Sequence, residues 1–295
     1  MVSETRRTIS SRPGGLVLMT TTHQQHAAQL LRSLHRPGTP LVLPNAWDVA
    51  SARIVADCGA AAVATTSAGV AWSLGAPDGD ELDREHALAV VARVAAAVTV
   101  PVTADIESGY AADPAGVART VAGVLAAGAV GVNIEDAPAA GTSALRPVDE
   151  QCARIRAARE AADEAGVRLF VNARTDVYLR AVGDPADRLT ETLRRAEAYR
   201  AAGADGIFVP GVGDAETIGA LVAGIDGPVN VLAGPGGLPV ATLAALGVAR
   251  VSLGSAVAGA AYGLVRRAAE EALRSGSYDS LAGAISYAEL NALLA

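Results

Sequence analysis

Lysine is absent: all 24 basic residues of this 295-residue chain are arginine. That absence removes every chemistry that runs through a lysine amine, whether a Schiff base of aldolase or pyridoxal type or the lysine of a phosphate-binding P-loop. Aromatic residues make up only 3% of the chain and acids outnumber bases, for a formal charge of −7. A nucleic-acid surface, which needs a basic face or stacking rings, is excluded on both counts. The two cysteines, Cys58 and Cys152, form no CxxC pair, which leaves out a zinc ribbon and a dithiol redox centre and fits a reducing, cytoplasmic compartment. No uninterrupted run of about 18 apolar residues occurs, so no membrane span is expected. Near the start, Arg6 and Arg7 precede a short apolar run from Gly14 to Met19, below the roughly 7–15 residues an export signal needs. Residues 1–22 read as a disordered leader, with Met1 and Met19 both open as the start of translation.

What the chain does have is apolar substance: 51% hydrophobic residues and a mean hydropathy of +0.30, enough for one large core. Short runs rich in Val, Ile and Ala lie at 41–44, 61–65, 100–104, 131–134, 169–173, 206–209, 229–232 and 250–253. Each is followed by a stretch with helical spacing, at 49–58, 84–97, 115–127, 148–165, 185–202, 215–223, 239–246 and 255–274. Several of these stretches end in glycine (Gly59, Gly128, Gly166, Gly203 and Gly247), the residue that adopts a left-handed helix stop at least cost. Eight strand–helix alternations predict a single-domain α/β fold, the (β/α)8 TIM barrel, over residues 23–275; an open doubly wound sheet is the alternative. Residues 276–295 fall outside the eight units as a C-terminal helical tail. Its stripe of Tyr278, Leu281, Ile285, Tyr287, Leu290 and Leu293 needs a partner, either its own barrel or a second subunit.

A barrel enzyme carries its chemistry at the C-terminal ends of the strands, and the polar residues there form one set. The first strand ends in Asn45-Ala46-Trp47-Asp48, the second in Thr65-Thr66-Ser67-Ala68-Gly69, the third in Asp105-Ile106-Glu107, the fourth in Asn133-Ile134-Glu135-Asp136 and the fifth in Asn172-Ala173-Arg174-Thr175-Asp176. Asp105 and Glu107 are two apart and share a face, and Glu135 ends the adjacent strand at the same height, so three carboxylates are expected to converge. Uncompensated carboxylates repel and take up protons; a hard divalent cation removes that penalty, and Mg²⁺, or alternatively Mn²⁺, suits oxygen ligands. The bland alternative pairs these acids with arginine or with helix caps. Arg174, alone among basic residues at these strand ends, serves as salt partner in that case and as a bidentate clamp for a substrate carboxylate in the other. The four histidines, His23, His26, His35 and His86, all lie away from strand ends, which argues against a Ser-His-Asp triad or a histidine-ligated zinc. Gly234-Pro235-Gly236-Gly237 after the seventh strand reads as a plain turn ahead of a phosphate cradle.

In combination these phrases resemble the isocitrate lyase / phosphoenolpyruvate mutase superfamily from about residue 41 to 255. Pro44-Asn45-Ala46-Trp47-Asp48, Thr66-Ser67-Ala68-Gly69, Leu74-Gly75-Ala76-Pro77-Asp78, Asp105-Ile106-Glu107-Ser108-Gly109-Tyr110, Asn133-Ile134-Glu135-Asp136 and Asn172-Ala173-Arg174-Thr175-Asp176 carry the resemblance. It implies Asp105 as the direct Mg²⁺ ligand, with Asp78, Glu107 and Glu135 holding the metal's waters. It also implies Trp47, Thr66, Ser67, Ala68 and Arg174 around a small 2-oxo or 2-hydroxy carboxylic acid such as oxaloacetate, and a C–C or C–P bond broken through a metal-stabilised enolate. Homodimers or homotetramers, with the last helices exchanged, are the family's usual assemblies.

Two departures narrow the reading. Glu107 replaces the second aspartate of the metal motif and Ala111 its last glycine. The loop after the fourth strand reads Asp136-Ala137-Pro138-Ala139-Ala140-Gly141-Thr142-Ser143-Ala144-Leu145-Arg146-Pro147 and holds none of the lysine, cysteine and histidine of the family's "KKCGH" lyases, nor the lysine of the mutases. A lyase acting by decarboxylation, hydrolysis or retro-aldol cleavage remains, with Tyr110, Thr142 and Ser143, together with Arg174, as the residues placed to handle a proton or charge. Phosphonomutase or phosphonopyruvate hydrolase chemistry, a silent dicarboxylate-binding barrel and a phosphate-binding isomerase are the competing expectations.

Overall fold

Every predicted apolar run folds as a strand, and the strands are largely buried, as parallel strands covered by helices are. The structure, a computed structural model, describes residues 13–138 and 145–295. The strands are β1 (Leu41–Leu43), β2 (Val63–Ala64), β3 (Val102–Asp105), β4 (Gly131–Glu135), β5 (Phe170–Arg174), β6 (Gly206–Val209), β7 (Val229–Leu232) and β8 (Arg250–Ser252). All are parallel, in the order β1-β8-β7-β6-β5-β4-β3-β2. A parallel bridge between Ala46 and Thr65 joins β1 to β2 and completes the ring, so the chain is a (β/α)8 barrel and not an open sheet.

Helices α1 (Pro13–Leu34), α2 (Val49–Asp57), α3 (Ser67–Ser73), α4 (Arg84–Ala97), α5 (Pro114–Ala126), α6 (Val148–Glu164), α7 (Arg188–Ala201), α8 (Ala215–Gly224), α9 (Val240–Ala245), α10 (Ala256–Arg274) and α11 (Tyr287–Leu294) complete the described chain. Aspartates start many of them: Asp48, Asp83, Asp113 and Asp214 each accept a first-turn amide of the helix that follows, as N-caps do. The described chain begins with α1 at Pro13, and residues 1–12, over which the expected leader starts, lie outside the described part. One element differs from the sequence reading. The polar stretch after β2 is a helix, α3, because the Ser67 amide finds a carboxylate, that of Asp105, at 3.2 Å.

The bottom of the barrel is closed by α1. Leu31 is fully buried and lies where any side chain on Gly131 would have to go, and Arg32 and Arg159 grip the Asp205 carboxylate from either side. Arg53 on α2 donates to the Leu293 carbonyl at 2.9 Å, whereas α10 buries only Ala258. Among the described residues no helix is long and apolar enough to cross a membrane.

His35, just after α1, stacks on Phe170 with ring centroids 3.8 Å apart and donates from Nδ1 to the Leu31 carbonyl at 2.8 Å. Burial, reinforced by the Arg250 charge, pushes its pKa down to about 3, so the folded state keeps the ring neutral while the unfolded chain protonates it below about pH 6.5. His35 therefore costs no stability above that pH and a growing amount below it, about 2 kcal/mol by pH 5. Denaturant titrations of wild type and His35→Phe between pH 5 and pH 7.5 should show the wild type losing that much more than the variant on acidification; parallel curves would refute the assignment.

Candidate active site

The polar strand ends surround a cavity of about 530 Å³ whose walls include Thr66, Ser67, Ala68, Asp78, Asp105 and Arg174. Six of the residues expected from sequence are thus brought together. Trp47 and Tyr110 instead pack against a small cluster formed by Val70, Ala71, Leu82 and Ala87, beside α3. Gly69 is required there, since a Cβ would fall 2.8 Å from Thr66 Cγ2 and 2.9 Å from Trp47 Cβ. Ser143 and Thr142 lie outside the described residues.

The acids do not all face the cavity. Asp105, at the end of β3, and Asp78 line it. Glu135 is turned toward Arg174, whose Nη1 stands 2.8 Å from its Oε2. Glu107 is turned toward the loop before α4 and accepts the amides of Gly79, at 2.9 Å, and Asp80. Among the described residues no group of three or more His, Cys, Asp or Glu side chains is arranged to hold a metal ion directly. The three-carboxylate convergence expected from strand geometry is thereby replaced by two acids at the surface of the cavity and two behind it, because an arginine and a pair of amides draw the rear pair away.

Their electrostatics still register a missing positive charge. Burial, together with the charges of Asp78, Asp80 and Asp105, pushes Glu107 up to about 7 despite its amide partners. Burial and the Asp105 charge likewise push Asp78 up, and burial pushes Glu135 up with Arg174 beside it. Glu107 Oε1 is buried with no hydrogen-bond partner, an orphaned acceptor of the kind that a metal-bound water satisfies. The donor set is all oxygen and anionic, which suits a hard divalent cation held by one direct ligand and several waters.

The supports behind this surface are arginines and an asparagine. Arg174 is held by Asp176 through Nε at 2.6 Å and Nη2 at 2.9 Å, with Phe208 flanking the guanidinium at 5.8 Å; burial opposes its charge, but Glu135 and Asp176 keep it firmly cationic. Arg154, wholly buried on α6, donates to the carbonyls of Ser108, Ala111 and Ala112 at 3.1, 3.0 and 2.6 Å. It thereby fixes a loop in which Glu107 and Tyr110 both take left-handed backbone angles, φ 50° and 48°, strain typical of functional loops. Asn45 donates to the Thr65 carbonyl at 2.9 Å and accepts the amides of Leu253 and Gly254 at 3.1 and 2.8 Å, tying β1 to both neighbours. Asp80, Arg154 and the clasp role of Asn45 were not legible from sequence. The one available signal was a charged residue, Arg154, between the apolar positions of α6.

The phosphoenolpyruvate phosphomutase family model matches residues 31–273. Over 92% of this chain and 96% of its own length, a crystal structure of a candidate lyase/mutase from Burkholderia cenocepacia J2315 superposes with a TM-score of 0.85 at 41% identity. The oxaloacetate decarboxylase of Chromohalobacter salexigens is 30% identical over 246 residues, 81% of this chain and 82% of its own. A phosphonopyruvate hydrolase solved with oxalate and Mg²⁺ covers 90% of this chain and 94% of that one, with a TM-score of 0.78 at 27% identity. The chain belongs to the phosphoenolpyruvate phosphomutase family, within the isocitrate lyase / phosphoenolpyruvate mutase superfamily.

Proposed function

We propose that the protein is a Mg²⁺-dependent lyase that breaks a C–C bond in a small 2-oxo or 2-hydroxy carboxylic acid. The observation that carries this reading is the excess of buried negative charge on one flank of the cavity, where Asp78, Glu107 and Glu135 are all pushed toward protonation by burial and by one another's charge or that of Asp105. In this reading Asp105 holds the cation, and Asp78, Glu107 and Glu135 hold its waters. When bound, the cation supplies Lewis-acid stabilisation for negative charge developing on the substrate's C2 oxygen. Thr66, Ser67 and Ala68 bind the carboxylate at the start of α3, and Arg174, fixed by Asp176 and flanked by Phe208, orients the acid by bidentate hydrogen bonding. Family members with C–P chemistry support the coarser statement, bond cleavage next to an oxo-acid. The loop after β4 lacks both the mutase lysine and the "KKCGH" residues, which leaves the simpler cleavages, decarboxylation, hydrolysis or retro-aldol.

Asp105→Ala should abolish Mg²⁺ binding in calorimetry and, with it, pyruvate release from a panel of oxaloacetate, phosphonopyruvate, 2-methylisocitrate and substituted malates; chelator should do the same to wild type. Turnover that survives both treatments would refute the metal reading.

We further infer a homodimer or homotetramer built through α10 and the tail. Val265, Leu273, Tyr278 and Tyr287 are 63, 86, 69 and 87% exposed, large apolar side chains on α10 and the tail that the single chain leaves uncovered. Sedimentation of the wild type should give a multiple of the 29.6 kDa chain mass, and Val265→Asp with Leu273→Asp should bring it to one chain. A monomeric wild type would overturn this assignment.

A further inference from the structure

Glu107 takes its orientation from the loop before α4, whose Gly79 amide, at 2.9 Å, and Asp80 amide both donate to its Oε2. Holding that loop in place is costly. Asp80 sits in the left-handed region at φ 61°, a conformation that a non-glycine residue keeps only where the surroundings impose it. Its carboxylate also belongs to the residue whose amide meets Glu107, so two like charges are brought together out of water, and they repel.

A cation answers them through one buried hydroxyl. Ser108 donates its Oγ–H to Asp80 Oδ2, and Ser108 Oγ accepts from Arg146 Nη2 at 3.1 Å. Asp80, Ser108 and Arg146 share the wall of a second cavity, of about 610 Å³, distinct from the one at the strand ends. Arg146 is anchored as a support has to be: its amide donates to the Asp136 carbonyl just past β4 at 2.8 Å, its carbonyl accepts from Arg195 Nη1 on α7 at 3.0 Å, and its Nη1 pairs with Glu150 on α6 at 2.9 Å. The other arginines close by are engaged elsewhere. Arg154 gives its terminal nitrogens to the carbonyls of Ser108, Ala111 and Ala112, and Arg84 is paired with Glu85.

We infer that Arg146 is a positioning residue: through the Ser108 hydroxyl it holds the Asp80 carboxylate, and with it the amides that aim Glu107. The relay itself stands on these hydrogen bonds; its consequence for the metal rests on the reading of Glu107 given above. Arg146 is not among the residues that line the strand-end cavity, so its influence on Glu107 runs by way of Ser108 and Asp80. Without the guanidinium the Ser108 hydroxyl is free to turn, the Asp80 carboxylate faces Glu107 with no cation on the relay, and the loop before α4 lifts. Glu107 then loses both of its donors.

Hydrogen exchange of the full chain without metal, read on the peptide that carries Gly79 and Asp80, tests the relay directly. Arg146→Met and Ser108→Ala should each speed exchange of those amides at least tenfold, while a peptide from β6 stays at the wild-type rate and confirms the fold. Adding Arg146→Met to Ser108→Ala should change the rate less than twofold, because both cut one chain of bonds, whereas independent damage accumulates. Ser108→Thr, which keeps the hydroxyl, should exchange like wild type. Unchanged Gly79 and Asp80 amides in Arg146→Met, or effects of the two changes that multiply, overturn the relay. Calorimetry then reads its consequence: Arg146→Met should bind Mg²⁺ at least fivefold more weakly than wild type. Faster exchange with undiminished Mg²⁺ affinity overturns the role of Arg146 at the metal; faster exchange in a protein whose wild type binds no Mg²⁺ leaves the relay standing and overturns the metal reading instead.

Discussion

Like charges forced together at one end of a barrel set the terms for the rest of this molecule. Asp78, Asp105, Glu107 and Glu135 come from three segments, the loop before α4 and the ends of β3 and β4, which the barrel brings to one end. Compensation therefore has to be built around them. Arg174 answers Glu135 and is itself braced by Asp176. The amides of Gly79 and Asp80 answer Glu107, which requires the chain before α4 to return to the barrel mouth. The left-handed backbone at Asp80 and Glu107 is the local strain that this meeting demands, and Arg154, anchored in a helix on the outside of the barrel, holds the strained loop by its carbonyls. These partners leave Glu107 Oε1 buried and unsatisfied.

The other half of the mouth follows a different rule. No acid is crowded there, so no arginine is needed, and the backbone satisfies itself. Asn45 is the pivot. Its carboxamide both closes β1 against β2 through Thr65 and absorbs the amides that follow β8. Beside those occupied amides the cavity is lined by Phe208, Leu232 and Leu253 together with Ser252, Ser255 and glycine backbone.

The barrel was legible because its signals are local. Alternation of β-rich runs with helical spacing, glycine stops and aspartate starts each sit within a few residues of the element they define, and β6 and β7 fall at the residues their apolar runs mark. Asp105 and Arg174 were expected at the cavity because each ends a strand, and Asp78 through the resemblance of Leu74-Gly75-Ala76-Pro77-Asp78; all three line it. Signals that depend on a distant partner were not. Ser67 begins a helix because a carboxylate 38 residues away receives its amide. Arg154 reads as a solvent-facing charge on α6 until the carbonyls 42–46 residues before it are brought alongside. Glu107 and Glu135 were placed on the correct loop and strand, but which way each turns was decided by groups that spacing alone does not bring together.

Building the whole of this electrostatic frame from arginine has a consequence for catalysis. A guanidinium stays charged in burial and offers a planar fork of donors, which is what permits Arg154 to hold three carbonyls and Arg195 to meet Asp136, the Arg146 carbonyl and the Tyr199 hydroxyl with one nitrogen. Even Arg250, sealed inside the barrel with both terminal nitrogens unpartnered and its pKa lowered to about 10 by burial, remains a cation near neutrality. Such a group stabilises charge well and exchanges protons poorly. With no lysine in the chain and His35 held neutral at the opposite end of the barrel, proton transfer at the mouth falls to carboxyl groups, hydroxyls and water. Burial first, and the charges of neighbouring acids second, raise the pKa of Asp78 and push Glu107 up to about 7, so the proton affinity of these carboxyl groups is set by the same frame that holds the arginines.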